Sequence, residues 1–261
     1  MVTNVLQTHM TKQKLSILKK INNLGMVFML LLFVLGCEAE KQDTATYDLI
    51  EIQGHIVELL TSDPTEDAEV CWKQMCSSTD DSGMYTLSIP VGEQFLTVQK
   101  DEHYGGIIPI VVEDQIQEQI QEQVQKIPNV SLITTDLFAA QLSTVNLEAD
   151  VSTGSIAFSI SNGIFGDGIN IEGVRVSIEP DVGEGPFYTT SIGLPSSDLQ
   201  ETSEHGGGVV THLPEETYTL FSEPLPNNCS PLLGWGESAT LRIPVVSNFV
   251  SFARIECIAD E

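Results

Sequence analysis

One β pattern occurs twice in this chain, and it narrows the fold more than any other feature. Residues 79–98 run Thr79-Asp80-Asp81-Ser82-Gly83-Met84-Tyr85-Thr86-Leu87-Ser88-Ile89-Pro90-Val91-Gly92-Glu93-Gln94-Phe95-Leu96-Thr97-Val98, alternating polar with apolar residues around turn signals. Residues 205–220, His205-Gly206-Gly207-Gly208-Val209-Val210-Thr211-His212-Leu213-Pro214-Glu215-Glu216-Thr217-Tyr218-Thr219-Leu220, repeat the scheme. Gly83 and Gly208 permit turn or bulge backbone that a side chain would hinder, and Pro90 and Pro214 end a strand where no ladder donor is needed. Upstream, Ile50 to Val57 and Gly154 to Ile160 alternate with the two-residue period of half-buried strands. Each is followed by a polar turn and a second strand, Ala68 to Trp72 and Val174 to Ile178. Short strands at regular spacing with punctuating turns predict a mainly β chain of two small antiparallel β-sandwich domains in tandem.

The first unit can be matched to a known family. A strand, a turn, a second strand, a T-D-x-x-G-x-F/Y stretch and a P-x-G-x-F/Y-x-L-x-V-like stretch together resemble the carboxypeptidase regulatory-like domain. Thr79, Asp80, Gly83, Tyr85, Pro90, Gly92, Phe95 and Val98 stand at the family positions, and the resemblance covers residues 47–112. It implies a transthyretin-like or prealbumin-like sandwich, related to immunoglobulin-like and starch-binding-like folds. The family is named for an accessory domain beside a peptidase, so it implies no enzymatic activity. Residues 151–261 depart from the pattern: Pro214 is followed by Glu-Glu-Thr instead of a glycine, and an insertion from Pro180 to Ser203 separates the second strand from the turn.

Between the units, Glu113 to Lys126 is rich in Gln and Glu, with Ile or Val every fourth residue. Gln and Glu are good helix formers and poor strand residues, so a helix is expected there, ending before Pro128. A second short helix is expected from Asp136, as N-cap, through Leu142. The stretch 113–150 therefore reads as a helical linker, a spacer packed across a sandwich edge.

Ahead of these units, Lys12, Lys14, Lys19 and Lys20 precede an apolar run from Met26 to Leu35 that ends in Val34-Leu35-Gly36-Cys37. The run is too short to span a bilayer as a helix, which takes about 20 residues. The four terminal residues resemble the bacterial lipobox. The resemblance implies a lipoprotein signal peptide over residues 1–36, lipidation at Cys37, and a flexible tether over 37–46. Two or more acyl chains make such an anchor stable. Glu38, in place of an aspartate, points to the outer membrane or cell surface over the inner membrane.

Charge then excludes one class of partner. The chain carries 37 acidic residues against 11 basic ones, a formal charge of −26. Beyond residue 36 only Lys41, Lys73, Lys100, Lys126, Arg175, Arg242 and Arg254 remain, scattered singly, where nucleic acid binding needs clustered cations. The acidity suits solubility outside the cell. Cys71, Cys76, Cys229 and Cys257 form an even set, suggesting two disulfides in an oxidising compartment. Three connectivities are open, and sequence proximity favours Cys71 with Cys76 and Cys229 with Cys257. No second close pair and no nearby histidines accompany the Cys-x4-Cys spacing, which argues against zinc.

Catalytic signatures are missing. No nucleophile elbow, H-E-x-x-H motif, P-loop or dinucleotide fingerprint occurs. His55 and His103 fall on or beside strands, while His205 and His212 flank the glycine run and could meet across a turn. Asp63, Glu66, Asp67, Asp80, Asp81, Asn162, Asp167 and Asn170 fall in loops that could interest Ca²⁺, but ordinary turn chemistry accounts for Asp and Asn there. No metal site and no cofactor is expected. Trp235, with Phe187 and Tyr188, is the best candidate for stacking a sugar ring, and capping of the sandwich core is the competing role. The expectation is a non-enzymatic, lipid-anchored cell-envelope protein with a structural or recognition role, or else a carbohydrate-binding module of the bacterial surface.

Overall fold

Alternation becomes strand throughout the computed structural model, which describes residues 49–114, 124–162 and 169–258. The first half contains β1 (Leu49–Glu58), β2 (Glu69–Trp72), β3 (Met75–Ser78), β4 (Met84–Pro90), β5 (Gly92–Gln99) and β6 (Gly105–Val112). Then follow β7 (Gln125–Lys126), β8 (Val130–Leu132) and α1 (Thr135–Ser143). The second half contains β9 (Gly154–Asn162), β10 (Ile169–Asn170), β11 (Arg175–Glu179), β12 (Glu184–Thr189), β13 (Pro195–Ser196) and β14 (Gly207–Leu213). It finishes with β15 (Thr217–Glu223), β16 (Cys229–Leu233), β17 (Trp235–Glu237), β18 (Thr240–Pro244) and β19 (Phe249–Cys257). The protein is mainly β, and α1 is the one helix among the described residues.

The strands form three sheets. An 11-stranded central sheet runs β13-β12-β14-β9-β19-β6-β5-β2-β3, with β10 on β9 and β16 on β19. One outer sheet runs β4-β1-β7, with β8 also on β1, and the other runs β11-β15-β18-β17. Each outer sheet covers one end of the central sheet. Ile52, Ile56, Tyr85 and Ile89 of the first outer sheet pack on Leu96, Val98, Ile108 and Ile110 of β5 and β6. Val176, Tyr218, Leu220 and Ile243 of the second pack on Ile156, Phe158, Ala253 and Ile255 of β9 and β19. Along β19, Phe252 packs against the first core and Ala253 belongs to the second. Successive strand residues point to opposite faces, so the two cores lie on opposite faces of one sheet. Residues 47–261 accordingly form a single compact unit.

The sequence repeat is a repeat of pairing. In the first half β1 pairs antiparallel with β4, and β2 with β5. In the second half β9 pairs antiparallel with β14, and β11 with β15. Parallel partners match too: β7 and β8 lie parallel to β1, as β19 does to β9. The antiparallel sandwich pattern is thus supplemented by a parallel strand in each half.

Backbone clamps repeat, with the same step from threonine to the following turn glycine. Thr79 accepts from the Ala68 amide at 2.8 Å and donates to the Thr65 carbonyl at 2.6 Å. Thr202 accepts from the Val174 amide at 3.0 Å and donates to the Ile171 carbonyl at 2.7 Å. Four residues after each threonine comes a glycine with positive φ, Gly83 at 74° and Gly206 at 67°. Their carbonyls accept from Ile56 and Ile160 respectively. Any Cβ would come within 2.4 Å of the Ile56 carbonyl oxygen at Gly83 and 2.5 Å of the Ile160 carbonyl oxygen at Gly206, so both turns require glycine. The counterpart of Gly83 is therefore Gly206. Gly208, expected to fill that role, lies inside β14, where its missing side chain makes room for the Phe158 ring.

The region between the halves differs from a helical spacer at two points. Gln125 and Lys126, expected at the end of a helix, form β7 beside Ile52 and Gln53 of β1. The Gln125 side chain donates to the Val111 carbonyl at 2.8 Å, and Ile127 is buried in the first core, so pairing and burial outweigh the helical preference of Gln. Residues 115–123 of the expected helix lie outside the described residues. The second helix forms as α1, capped by Thr134, whose hydroxyl accepts from the Leu137 amide at 3.3 Å. Asp136, expected as the cap, sits in the first turn. Phe138 and Leu142 of α1 pack with Tyr104, Ile133 and Val250.

Candidate functional site

Helix α1 packs on Val250 and Ala157, on the face opposite the second core, whereas the face of β5 opposite the first core carries exposed side chains. Residues pointing that way alternate with the core residues Leu96 and Val98: Glu93, Phe95, Thr97 and Gln99. At the boundary between this open face and the second outer sheet stands Trp235. Gly234, with φ of 118°, carries the chain from β16 into β17, and its amide donates to the Pro109 carbonyl at 2.9 Å. The indole N–H of Trp235 then reaches the carbonyls of both Gln94 and Ile110 at 3.1 Å. Tryptophan has a single donor, so this contact fixes the ring on β5 and β6.

Three side chains complete this corner. The Phe95 ring centroid lies 6.5 Å from that of Trp235, with the planes tilted by 46°. Arg242 lies opposite Trp235 in the ladder, places its guanidinium 5.9 Å from the ring centroid, and forms an ion pair with Glu93. Beneath Phe95, the Trp72 indole donates to the Gln94 side chain at 2.7 Å. Phe95 is 39% exposed and Val111, which pairs with Glu93, is 44% exposed. The corner therefore presents the fixed ring of Trp235 and the exposed ring of Phe95 beside an exposed pair of opposite charges.

Sequence reasoning placed Trp235 with Phe187 and Tyr188, and the structure separates them. Tyr188 is 3% exposed, its ring stands edge-on to Phe158, and its hydroxyl bonds both backbone groups of Val176. It has no face to offer a ligand. Phe187 sits half-buried opposite Val209 on β12. Three strands, β14, β9 and β19, separate β12 from β6. At about 4.8 Å per strand spacing, that is roughly 19 Å. Phe95, Glu93 and Arg242 escaped the sequence reading. The one available signal was Phe95 itself, an aromatic among polar neighbours on the solvent side of an alternating strand.

The other titratable candidates hold the fold together. His103 Nδ1 faces the Asp101 carbonyl at 2.8 Å and Nε2 the Glu58 carboxylate at 3.0 Å, tying the loop before β6 to the end of β1. His205 and His212 do not meet: His205 contacts Thr189 Oγ1 at 3.2 Å and His212 the Glu148 carbonyl at 2.8 Å. Burial pushes the Tyr85 hydroxyl well above its ordinary range. Among the described residues, the three metal-type ligands that come within reach of one ion are Glu69, Cys71 and Cys76. Both sulfurs there are already bonded, because Cys71 joins Cys76 and Cys229 joins Cys257. Cys37 and the apolar run before it lie outside the described residues, as does Asp167. No helix among the described residues is long and apolar enough to cross a membrane.

No family model and no curated protein matches the chain, so the regulatory-like resemblance rests on its motif residues. Solved structures aligned with it include the Bacillus anthracis TIE protein, at 11% identity and a TM-score of 0.25, covering 81% of this chain. This chain spans 34% of that protein's length. GBS52, the minor pilin of Streptococcus agalactiae, aligns at 10% identity and a TM-score of 0.29, over 81% of this chain and 97% of its own. The shaft pilin SpaA of Lactobacillus rhamnosus GG aligns at 8% identity and a TM-score of 0.24, over 82% and 98%. At these TM-scores the alignments carry no argument about fold or function.

Proposed function

We propose that this is a non-enzymatic, lipid-anchored protein of the bacterial cell envelope, exposing one rigid β unit for a structural or recognition role. The carrying observation is the combination of a lipobox-like Val34-Leu35-Gly36-Cys37 with a following unit, residues 47–261, that is locked by two disulfides. Disulfides of this kind persist in oxidising compartments outside the cytosol. The acidic surface suits such exposure, since net charge keeps an exported unit soluble. Its partners on this reading are the membrane, through the acyl chains at Cys37, and envelope proteins or polysaccharide. No cofactor is needed.

Replacing the anchor cysteine tests the reading. Cys37→Ser is expected to move the protein from the membrane fraction to the soluble fraction and to leave an unlipidated mass. Retention in the envelope at the wild-type level would refute the anchor.

A further inference from the structure

We propose that the corner built by Phe95, Trp235, Glu93 and Arg242 binds an uncharged polysaccharide chain. This assignment goes beyond the anchoring reading and does not depend on it.

Four features point to that ligand. First, the apolar content of the open face is misplaced for a simple solvated sheet. One-sided antiparallel sheets turn polar residues to water, as Thr97 and Gln99 do here, yet Phe95 and Val111 stand exposed side by side with the half-buried Trp235. Second, the Trp235 ring is fixed before any ligand arrives, fastened to two strands through its N–H. A preorganised surface avoids the ordering cost of binding.

Third, the polar groups match sugar chemistry. A pyranose ring offers a C–H face that stacks on an aromatic ring and hydroxyls that both donate and accept. Glu93 and Arg242 remain 44% and 48% exposed, so the carboxylate can accept from a hydroxyl while the guanidinium donates to one. Their charges cancel, which favours a neutral ligand, and the formal charge of −26 on the chain repels an anionic one. Fourth, the corner is an open ledge between the central sheet and the β17 edge, so it accommodates the interior of a long chain. Small-molecule sites, by contrast, enclose most of their ligand.

The test is a calorimetric titration of the full-length, detergent-purified protein with maltohexaose, cellohexaose, mannohexaose and chitohexaose, with oligogalacturonate as the anionic comparison. At least one neutral oligosaccharide is expected to bind in the high micromolar to millimolar range. Phe95→Ala should weaken that binding about fivefold to tenfold, the scale of one aromatic contact. Glu93→Gln should weaken it as well, and both variants should keep the wild-type circular dichroism, since each changes an exposed side chain. Trp235→Phe gives a second reading at the ring itself if the fold tolerates loss of the N–H contacts. No binding of any neutral oligosaccharide up to about 10 mM, equal binding by Phe95→Ala, or binding of oligogalacturonate alone would overturn the proposal. Release of Cys37→Ser from membranes is scored separately, so either idea can fail without the other.

Discussion

The hydroxyl of Tyr188 closes a sheet edge. β11 is the outer strand of its sheet, and the Val176 amide donates to this hydroxyl at 2.8 Å while the hydroxyl donates to the Val176 carbonyl at 3.3 Å. Thr202 does the same two residues earlier, accepting from the Val174 amide and donating its own amide to the Val174 carbonyl at 2.9 Å. Unpaired edges invite association with other chains, and a buried, unpaired backbone group costs about 1–3 kcal/mol. Tyr188→Phe is therefore expected to lower stability by about 1–3 kcal/mol in urea denaturation, with faster amide exchange at Val176. Unchanged stability and exchange would show that water replaces the hydroxyl freely. The turn acids make a second residue-scale prediction. Bonds from the Ser82 hydroxyl and from the Met84 and Ser82 amides hold the Asp80 carboxyl below its ordinary value of 3.8, and Ser152 does the same for Asp150. A carboxyl with a depressed folded-state pKa stabilises the fold above its unfolded value and loses that contribution as pH falls toward the folded value. The double variant Asp80→Asn, Asp150→Asn should consequently show a shallower fall in unfolding midpoint between about pH 4 and pH 2 than the wild type. A fall of equal steepness would dismiss these two turns as sources of acid sensitivity.

Elements are held by two cross-strand disulfides of unequal reach. Cys71 and Cys76 face each other across the β2–β3 hairpin, five residues apart in sequence. Cys229 and Cys257 face each other across β16 and β19, 28 residues apart, and Cys257 is 1% exposed in the second core. In the chain-entropy account, the longer loop gives about 3.5 kcal/mol and the shorter about 2 kcal/mol. Replacing Cys229 and Cys257 with alanine should thus lower the guanidinium midpoint more than replacing Cys71 and Cys76. The opposite order would place the main constraint in the β2–β3 hairpin. The repeat explains why these elements recur: a threonine clamps the preceding loop, a glycine four residues later turns the chain, and the next strand pairs back on the first. Thr79 and Gly83 were visible in the sequence because their motif is intact. Thr202 and Gly206 were not, because the run of three glycines drew the alignment two residues onward.

At the scale of the molecule, β19 joins the halves. It lies parallel to β9 along its length and parallel to β6 at Phe249 to Ser251, while Phe252 and Leu233 from the second half complete the first core. A chain ending at residue 150 loses that strand and those two side chains, so it is expected to lack a cooperative unfolding transition and dispersed amide resonances. The full chain should unfold in one transition, observed alike by fluorescence and circular dichroism. A folded, cooperative 37–150 fragment would show that the first half is self-sufficient.

By itself the sequence determined the β class, the internal repeat and the favoured disulfide pairing. All of these follow from alternation, turn residues and short separations along the chain. Tertiary structure alone decided that the two halves share one sheet, that its cores lie on opposite faces, and that Trp235 meets β5, whose Gln94 lies 141 residues earlier. Alternation tells each residue which face of its strand it occupies, but it carries no information about which distant strand will lie beside it. The corner at Phe95 and Trp235 exists only through that placement.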